Sequence, residues 1–177
     1  MKQISIPMKA EAAVKHDRAP YTGTNGVYAS LKLSEAYRNK VISIAEELDI
    51  SVDPEKLHTT VIYSKAGVIP VDKLPTGYGE NMMFGAVCNE VSHWVGHKGQ
   101  TCVVLKLISL DIVRLNAGLQ SAGAIHTFTP YAPHITLSDE HDPIDDAFQA
   151  RIDALNKKLA ADPLELTFDH YHVGDLV

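Results

Sequence analysis

Two stretches of this chain spell the same order of elements, and that repetition constrains the fold more than any other feature. In the first, Val27, Ala29, Leu31 and Leu33 alternate with Tyr28, Ser30 and Lys32, the period-two pattern of a half-buried strand. Ser34 follows as an N-cap, and Tyr37, Val41, Ile44 and Leu48 draw one apolar stripe on a helix that ends near Asp49. After the Asp53-Pro54 turn, Leu57 to Tyr63 is β-branched and strand-like. In the second stretch Val103, Leu105 and Leu107 alternate with Cys102, Val104 and Lys106. Ser109 caps, Ile108, Ile112, Leu115 and Leu119 form a helical stripe, and Pro133 to Ser138 reads as a strand. Aligned, Leu31-Lys32-Leu33 stands beside Leu105-Lys106-Leu107, Ser34 beside Ser109, and His58-Thr59-Thr60 beside His134-Ile135-Thr136. From serine to histidine is 24 residues in one copy and 25 in the other. Two such units in one domain pack about a pseudo-twofold axis, which brings equivalent strand positions face to face.

The flanks complete the plan. Residues 1–25 lack periodicity and end in a turn signal, Thr22 to Gly26, so an N-terminal arm is expected over 1–25 and a single bilobal domain over 26–177. The Gly- and Pro-rich stretch 65–80 reads as a loop, and 82–95 and 101–108 as two strands joined near Gly96 to Gly99. The last helix is expected to take Asp142 as cap and Pro143 as first residue, with Ile144, Phe148, Ile152, Leu155 and Leu159 as its stripe. A closing strand, Leu164 to Val173, would put Glu165, Thr167, Asp169 and Tyr171 on one face and Leu164, Leu166, Phe168 and His170 on the other.

Composition removes several function classes. Among 177 residues the net charge is −6, but residues 1–138 are nearly balanced and the excess acid lies in 139–177; no basic stripe of a duplex nucleic-acid binder is present. No apolar run is long enough to span a bilayer and no signal-peptide core opens the chain, so a cytoplasmic protein is expected. Cys88 and Cys102 lack paired-ligand spacing and read as buried thiols. P-loop, dinucleotide-binding, zincin and nucleophile-elbow motifs are missing. His93 and His97, His170 and His172, and Cys88 could be pieced into a metal site, but each lacks a companion, and no metal or cofactor is expected.

The repeated His-x-Thr carries the chemistry. Period two puts His58 with Thr60, and His134 with Thr136, on one face of their strands, while Thr59, Val61, Ile135 and Leu137 pack against helices. One such pair alone reads as a polar couple on a half-exposed strand; its duplication within matching frames points to a site. Two facing imidazoles with ordinary pKa values of about 6.5 can serve as general base and general acid near neutrality, with threonine hydroxyls as donors beside them. A phosphodiester fits such a centre, because its cleavage needs a nucleophile deprotonated, a leaving oxygen protonated and non-bridging oxygens stabilised. Lys32 and Lys106 are either solvated strand charges or phosphate contacts.

At these residues the sequence resembles the two-histidine (2H, LigT-like) phosphoesterase superfamily, and more closely the phage anti-CBASS phosphodiesterases, which degrade cyclic oligonucleotide immune signals. The likeness rests on the two His-x-Thr motifs, the Gly26-Val27-Tyr28 opening, the run Leu57 to Ser64, and a C-terminal strand with Glu165 and an aromatic six residues on. It implies an α+β fold of duplicated β-α-β lobes with a concave cleft between two antiparallel sheets. It also implies base-gripping roles for Tyr28, Glu165 and Tyr171, the last standing where the family has Trp. The expected function is metal-independent cleavage of 3′-5′ bonds in cyclic di- or trinucleotides, with the host cytoplasm as location if the chain is phage-encoded. RNA 2′,3′-cyclic phosphodiesterase activity and a non-cleaving nucleotide sponge are the alternatives. No membrane, duplex nucleic acid or obligate protein partner is expected.

Overall fold

The computed structural model describes residues 21–74, 82–95 and 99–176. The elements are β1 (Val27–Leu33), α1 (Glu35–Glu47), β2 (His58–Ser64), β3 (Phe84–Val95), β4 (Thr101–Ile108), α2 (Leu110–Ser121), β5 (His134–His141), α3 (Asp146–Ala161) and β6 (Leu164–Gly174). All paired strands are antiparallel, and the order β1-β2-β5-β4-β3-β6 closes on itself. The two repeats occupy opposite halves of that ring: β1 and β2 with β6, and β4 and β5 with β3. The halves join along β3–β6 on one side. On the other side they meet at a single pair, Thr59 with Ile135.

The repeat folds as its pattern dictates, with local differences at the caps. Leu31, Leu33, Leu105, Ile135 and Phe168 turn to the helical layer and are buried, as are Val41 and Ile44 of α1, its C-cap Leu48, and Ile112, Leu115 and Leu119 of α2. Ile108 lies at the end of β4 and is exposed, so it is not part of the α2 stripe. Ser109 Oγ accepts from the Ile112 amide at 3.3 Å and donates to the Gly85 carbonyl at 2.6 Å. Ser34 makes no side-chain cap; its backbone amide instead donates to Thr167 O of β6 at 2.9 Å.

The last helix starts later than its apolar pattern suggests. Its cap is Asp145, whose carboxylate accepts from the Phe148 amide at 2.7 Å, and Asp142, Pro143 and Ile144 precede it. A reachable amide three residues on decides a cap, and Asp145 has one. Phe148, Ile152, Leu155 and Leu159 are nevertheless buried, and Ile144 packs against the core from outside the helix.

Of the expected arm, residues 1–20 lie outside the described residues. Residues 21–25 are tied to the body: Tyr21 Oη donates to Ile69 O and accepts from Ile69 N, both at 2.8 Å, and Thr22 Oγ1 donates to Asp175 at 2.6 Å. Gly26, with φ of 62°, must be glycine, since a Cβ there would stand 2.5 Å from the Ser64 carbonyl. No helix among the described residues is long and apolar enough to cross a membrane.

Two β-bulges reset the faces on which side chains appear. Ala29 pairs with Ile62 but Ser30 with Thr60, leaving Val61 unpaired as the extra residue of β2. Asn116 of α2 donates to the Val61 carbonyl at 2.7 Å, so a helix of the second lobe holds the bulge of the first. In β6, Lys32 pairs with His170 and Leu33 with Phe168, which makes Asp169 the extra residue. Beyond each bulge the alternation inverts.

Candidate active site

Thr59 and Ile135 are the middle residues of the two His-x-Thr motifs, and they are the pair through which β2 and β5 touch. Because the strands are antiparallel, His58 lies across from Thr136 and Thr60 across from His134. Each imidazole therefore has the other motif's hydroxyl as its neighbour. Buried Thr59 and Ile135 point to the helical layer, so the histidines and their threonines share the concave face.

Both rings are held the same way. His58 Nδ1 donates to Lys56 O at 2.6 Å and His134 Nδ1 to Ala132 O at 2.8 Å, in each case the carbonyl two residues upstream. A carbonyl only accepts, so the proton of each neutral ring sits on Nδ1 and Nε2 carries the lone pair. The cross-strand partners match as well: Lys32 stands opposite His58, and Lys106 opposite His134. Lys106 Nζ is bonded to Glu90 at 2.7 Å, whereas Lys32 Nζ lies 3.8 Å from Glu55, a carboxylate that also pairs with Arg38.

The surroundings of the rings differ. Tyr28 Oη lies 3.0 Å from His58 Nε2. His134 instead meets Trp94 edge-on, with ring centres 4.8 Å apart. Burial lowers the pKa of His134 below the ordinary histidine value; the Ala132 carbonyl opposes this and the nearby His58 adds to it. A cavity of about 460 Å³ opens beside His134, lined by Thr60, Tyr63, Trp94, His126, Phe128 and Tyr131 among others.

The sequence profile of the family described as Anti-CBASS protein Acb1 matches residues 25–169. The chain belongs to the Acb1 anti-CBASS family. Similar relatives carry the same description. The Acb1 of Vibrio phage KVP40 is 30% identical over 118 residues, covering 65% of this chain and 73% of that one. That of Escherichia phage RB16 is 30% identical over 148 residues, covering 81% and 76%. That of Enterobacteria phage T4 is 27% identical over 145 residues, covering 81% and 91%. Among solved structures, a protein of Thermus thermophilus superposes with a TM-score of 0.55 at 18% identity, over 83% of this chain and 86% of that one. One described as a phosphoesterase gives 0.51 at 16%, over 84% and 86%. These likenesses establish the α+β fold with duplicated lobes expected from the repeat.

In this Acb1-family chain the expected site residues divide into groups. His58, Thr60, His134, Thr136, Tyr28, Lys32 and Lys106 share the concave face. Glu165 does not join them; it lines a separate groove with Asn39, Lys40 and Ser43, five positions along β6 from His170, or about 17 Å at roughly 3.4 Å per residue. Tyr171 is placed differently from expectation: past the Asp169 bulge it pairs with buried Leu31 and packs against the core, so it shares no face with Glu165. His170 and His172 take the concave face instead, and the His172 ring lies 6.4 Å from that of Tyr28.

The strand pattern does not single out Tyr63, His126, Phe128 and Tyr131, and Trp94 reads from sequence as a core residue or hairpin anchor. The recurrence of aromatics just upstream of the second motif, from His126 to Tyr131, is the signal that could have found them. Cys88 is buried, its thiol pushed up to about 11 by desolvation, whereas Cys102 is only partly buried, contrary to expectation. No group of three His, Cys, Asp or Glu suited to a metal occurs among the described residues, and His97 lies outside them.

Proposed function

We propose that this chain is a phosphodiesterase that opens cyclic di- or trinucleotide signals at a 3′-5′ bond by acid-base catalysis. Family and fold together support a phosphodiesterase-type enzyme with an anti-CBASS role. The observation that carries the finer reading is the meeting of the two motifs at Thr59 and Ile135, with both Nε2 atoms left as the proton-handling nitrogens.

The chemistry follows from that arrangement. The ribose 2′-hydroxyl beside the scissile bond attacks phosphorus while His134, the ring that burial keeps neutral, takes its proton at Nε2. Protonated His58 delivers its proton to the departing 5′-oxygen, the P–O5′ bond breaks, and a 2′,3′-cyclic phosphate forms. In the second step water gives a proton to His58 and its oxygen bonds to phosphorus. The P–O2′ bond breaks as His134 returns its proton to O2′, leaving a 3′-phosphate. Thr60 and Thr136 donate to the non-bridging oxygens, and Lys32 and Lys106 add positive charge on the flanking strands. Tyr28, at the same end of the cleft as His58, is placed to contact a ribose or base. The substrate is a soluble signal, which places the reaction in the host cytoplasm.

The test is to incubate the protein, in EDTA, with cyclic dinucleotides, cyclic trinucleotides and 2′,3′-cyclic-ended RNA, and to follow products. Linear 3′-phosphorylated products from a ribose substrate, with none from its 2′-deoxy analogue, are expected. Cleavage of the deoxy analogue at the ordinary rate would sink the 2′-hydroxyl route. Tight binding without any cleavage would make the cleft a sponge.

A further inference from the structure

The cavity beside His134 contains a histidine that the acid-base reaction does not use. His126 is 7% exposed, lines this cavity with Tyr63, Phe128 and Tyr131, and stands edge-on to Tyr131 with ring centres 5.1 Å apart. Its Nδ1 accepts the Tyr63 backbone N–H at 3.2 Å. That bond needs a lone pair on Nδ1, so the neutral ring carries its proton on Nε2. Among the described residues Nε2 has no hydrogen-bond partner, so its N–H is free to donate to a ligand in the cavity.

The segment that holds His126 is anchored at both ends. Gly123, with φ of 127°, ends α2, where the Ala124 amide bonds to Leu119 O and the Gly123 amide to Gln120 O. Thr127 N donates to Tyr63 O at 2.8 Å, so the residue after His126 also bonds to Tyr63. The bulge at Val61 is what turns Tyr63 to this face. His126 is thus a fixed donor in an aromatic wall.

We infer that this cavity is a nucleobase subsite in which His126 Nε2–H donates to N7 of a purine whose face stacks on the surrounding rings. The inference rests on the cyclic-oligonucleotide reading above. Three features favour a base over the phosphate as its occupant. The volume of about 460 Å³ falls in the range of about 300–1,000 Å³ usual for small-ligand sites. Aromatic walls suit a π face, on which any base can stack. The His126 donor is a neutral N–H, matched to a neutral ring nitrogen, whereas Thr60 on the same lining belongs with the lysines and Thr136 to the phosphate in the proposed reaction. Burial first, and His134 second, lower the His126 pKa, which keeps the ring neutral and Nδ1 available to Tyr63 at physiological pH.

The experiment compares a purine cyclic dinucleotide with its 7-deaza analogue, which lacks only the N7 acceptor, on wild type and on His126→Phe. Losing one neutral hydrogen bond is expected to raise KM about 2- to 12-fold for wild type on the 7-deaza substrate, with kcat nearly unchanged. His126→Phe is expected to show that same rise on the natural substrate and no further rise on the analogue. Equal KM for both substrates on wild type overturns the inference, and needs no variant to fold. If wild type neither binds nor cleaves any cyclic oligonucleotide, the proposed function falls and the subsite with it; turnover without an N7 effect removes the subsite alone.

Discussion

In the first lobe His58 meets the hydroxyl of Tyr28, while in the second His134 meets the edge of Trp94 and is buried deeply enough to hold its pKa down. What the lobes share is the carbonyl on Nδ1, the lysine across the strand and the threonine from the other motif. Those shared parts suit an acid-base centre at a phosphate. In the proposed reaction the differing parts divide the protons between the two rings. Burial lowers the His134 pKa and so favours the neutral ring there, and in the proposed reaction His58 is the ring that delivers a proton. A duplicated fold thus supplies two like groups with unlike neighbours, and the proposed reaction gives them complementary tasks.

The strongest way to break the comparison is to remove one ring at a time. His58→Ala and His134→Ala are each expected to lower kcat by about 10²–10⁴-fold, the usual contribution of a general acid or base. Wild-type kcat in either variant, measured in single turnover, would mean that only one lobe does chemistry. Replacing the threonines asks whether the cross-motif hydroxyls are equivalent. Thr60→Val and Thr136→Val should each cost about 10- to 1,000-fold in kcat, with the more exposed Thr136 toward the smaller loss. A loss in one variant only would make oxyanion stabilisation one-sided.

The bulge in β6 offers a third contrast, between binding and packing. Tyr171→Ala is expected to lower unfolding free energy by about 1–3 kcal/mol while leaving KM unchanged, because its ring packs on the core. Denaturant melts and initial rates on one preparation decide this; a raised KM at unchanged stability would return Tyr171 to the cleft.

Smaller effects separate the two proton-handling groups. Trp94→Ala removes the cover over His134, raising its pKa toward the ordinary value, so the acid limb of the pH-rate profile should move to higher pH. Tyr28→Phe should change kcat by less than about tenfold and move only the limb that belongs to His58. If both variants moved the same limb, the division of roles between lobes would be wrong. The smallest effect is on folding. His126 and His134 bind protons less readily when folded than when unfolded, so stability should decline as pH falls below about 6.5, through the window down to their lowered folded values. A denaturation midpoint unchanged between pH 7.5 and 5.5 would contradict the burial of these rings.

The repeat itself was legible in the residues. Alternation in 27–33 and 103–107, the stripe Val41-Ile44-Leu48 and its counterpart Ile112-Leu115-Leu119 each register local geometry and burial together, so pattern alone could place strands, helices and the two motifs. The meeting of the two His-x-Thr motifs followed from symmetry, because like units tend to meet about an axis. Caps were less legible: Ser34, Asp142 and Asp145 all have capping chemistry, and only a reachable amide decides between them.

What the amino-acid sequence determined by itself was the duplicated order of elements, the buried faces of the helices and the residue types at the centre. Only the tertiary structure decided which side chains complete that centre. A bulge inserts one residue and inverts every face beyond it, and nothing local in Val61 or Asp169 announces it; the cause lies in distant partners, the Asn116 amide of α2 for Val61 and the register against β1 for Asp169. That inversion puts Tyr63, His170 and His172 into the cleft and takes Tyr171 out. The segment bearing His126 likewise has no period to read, and its position comes from hydrogen bonds to Tyr63, a residue 63 positions away in the chain.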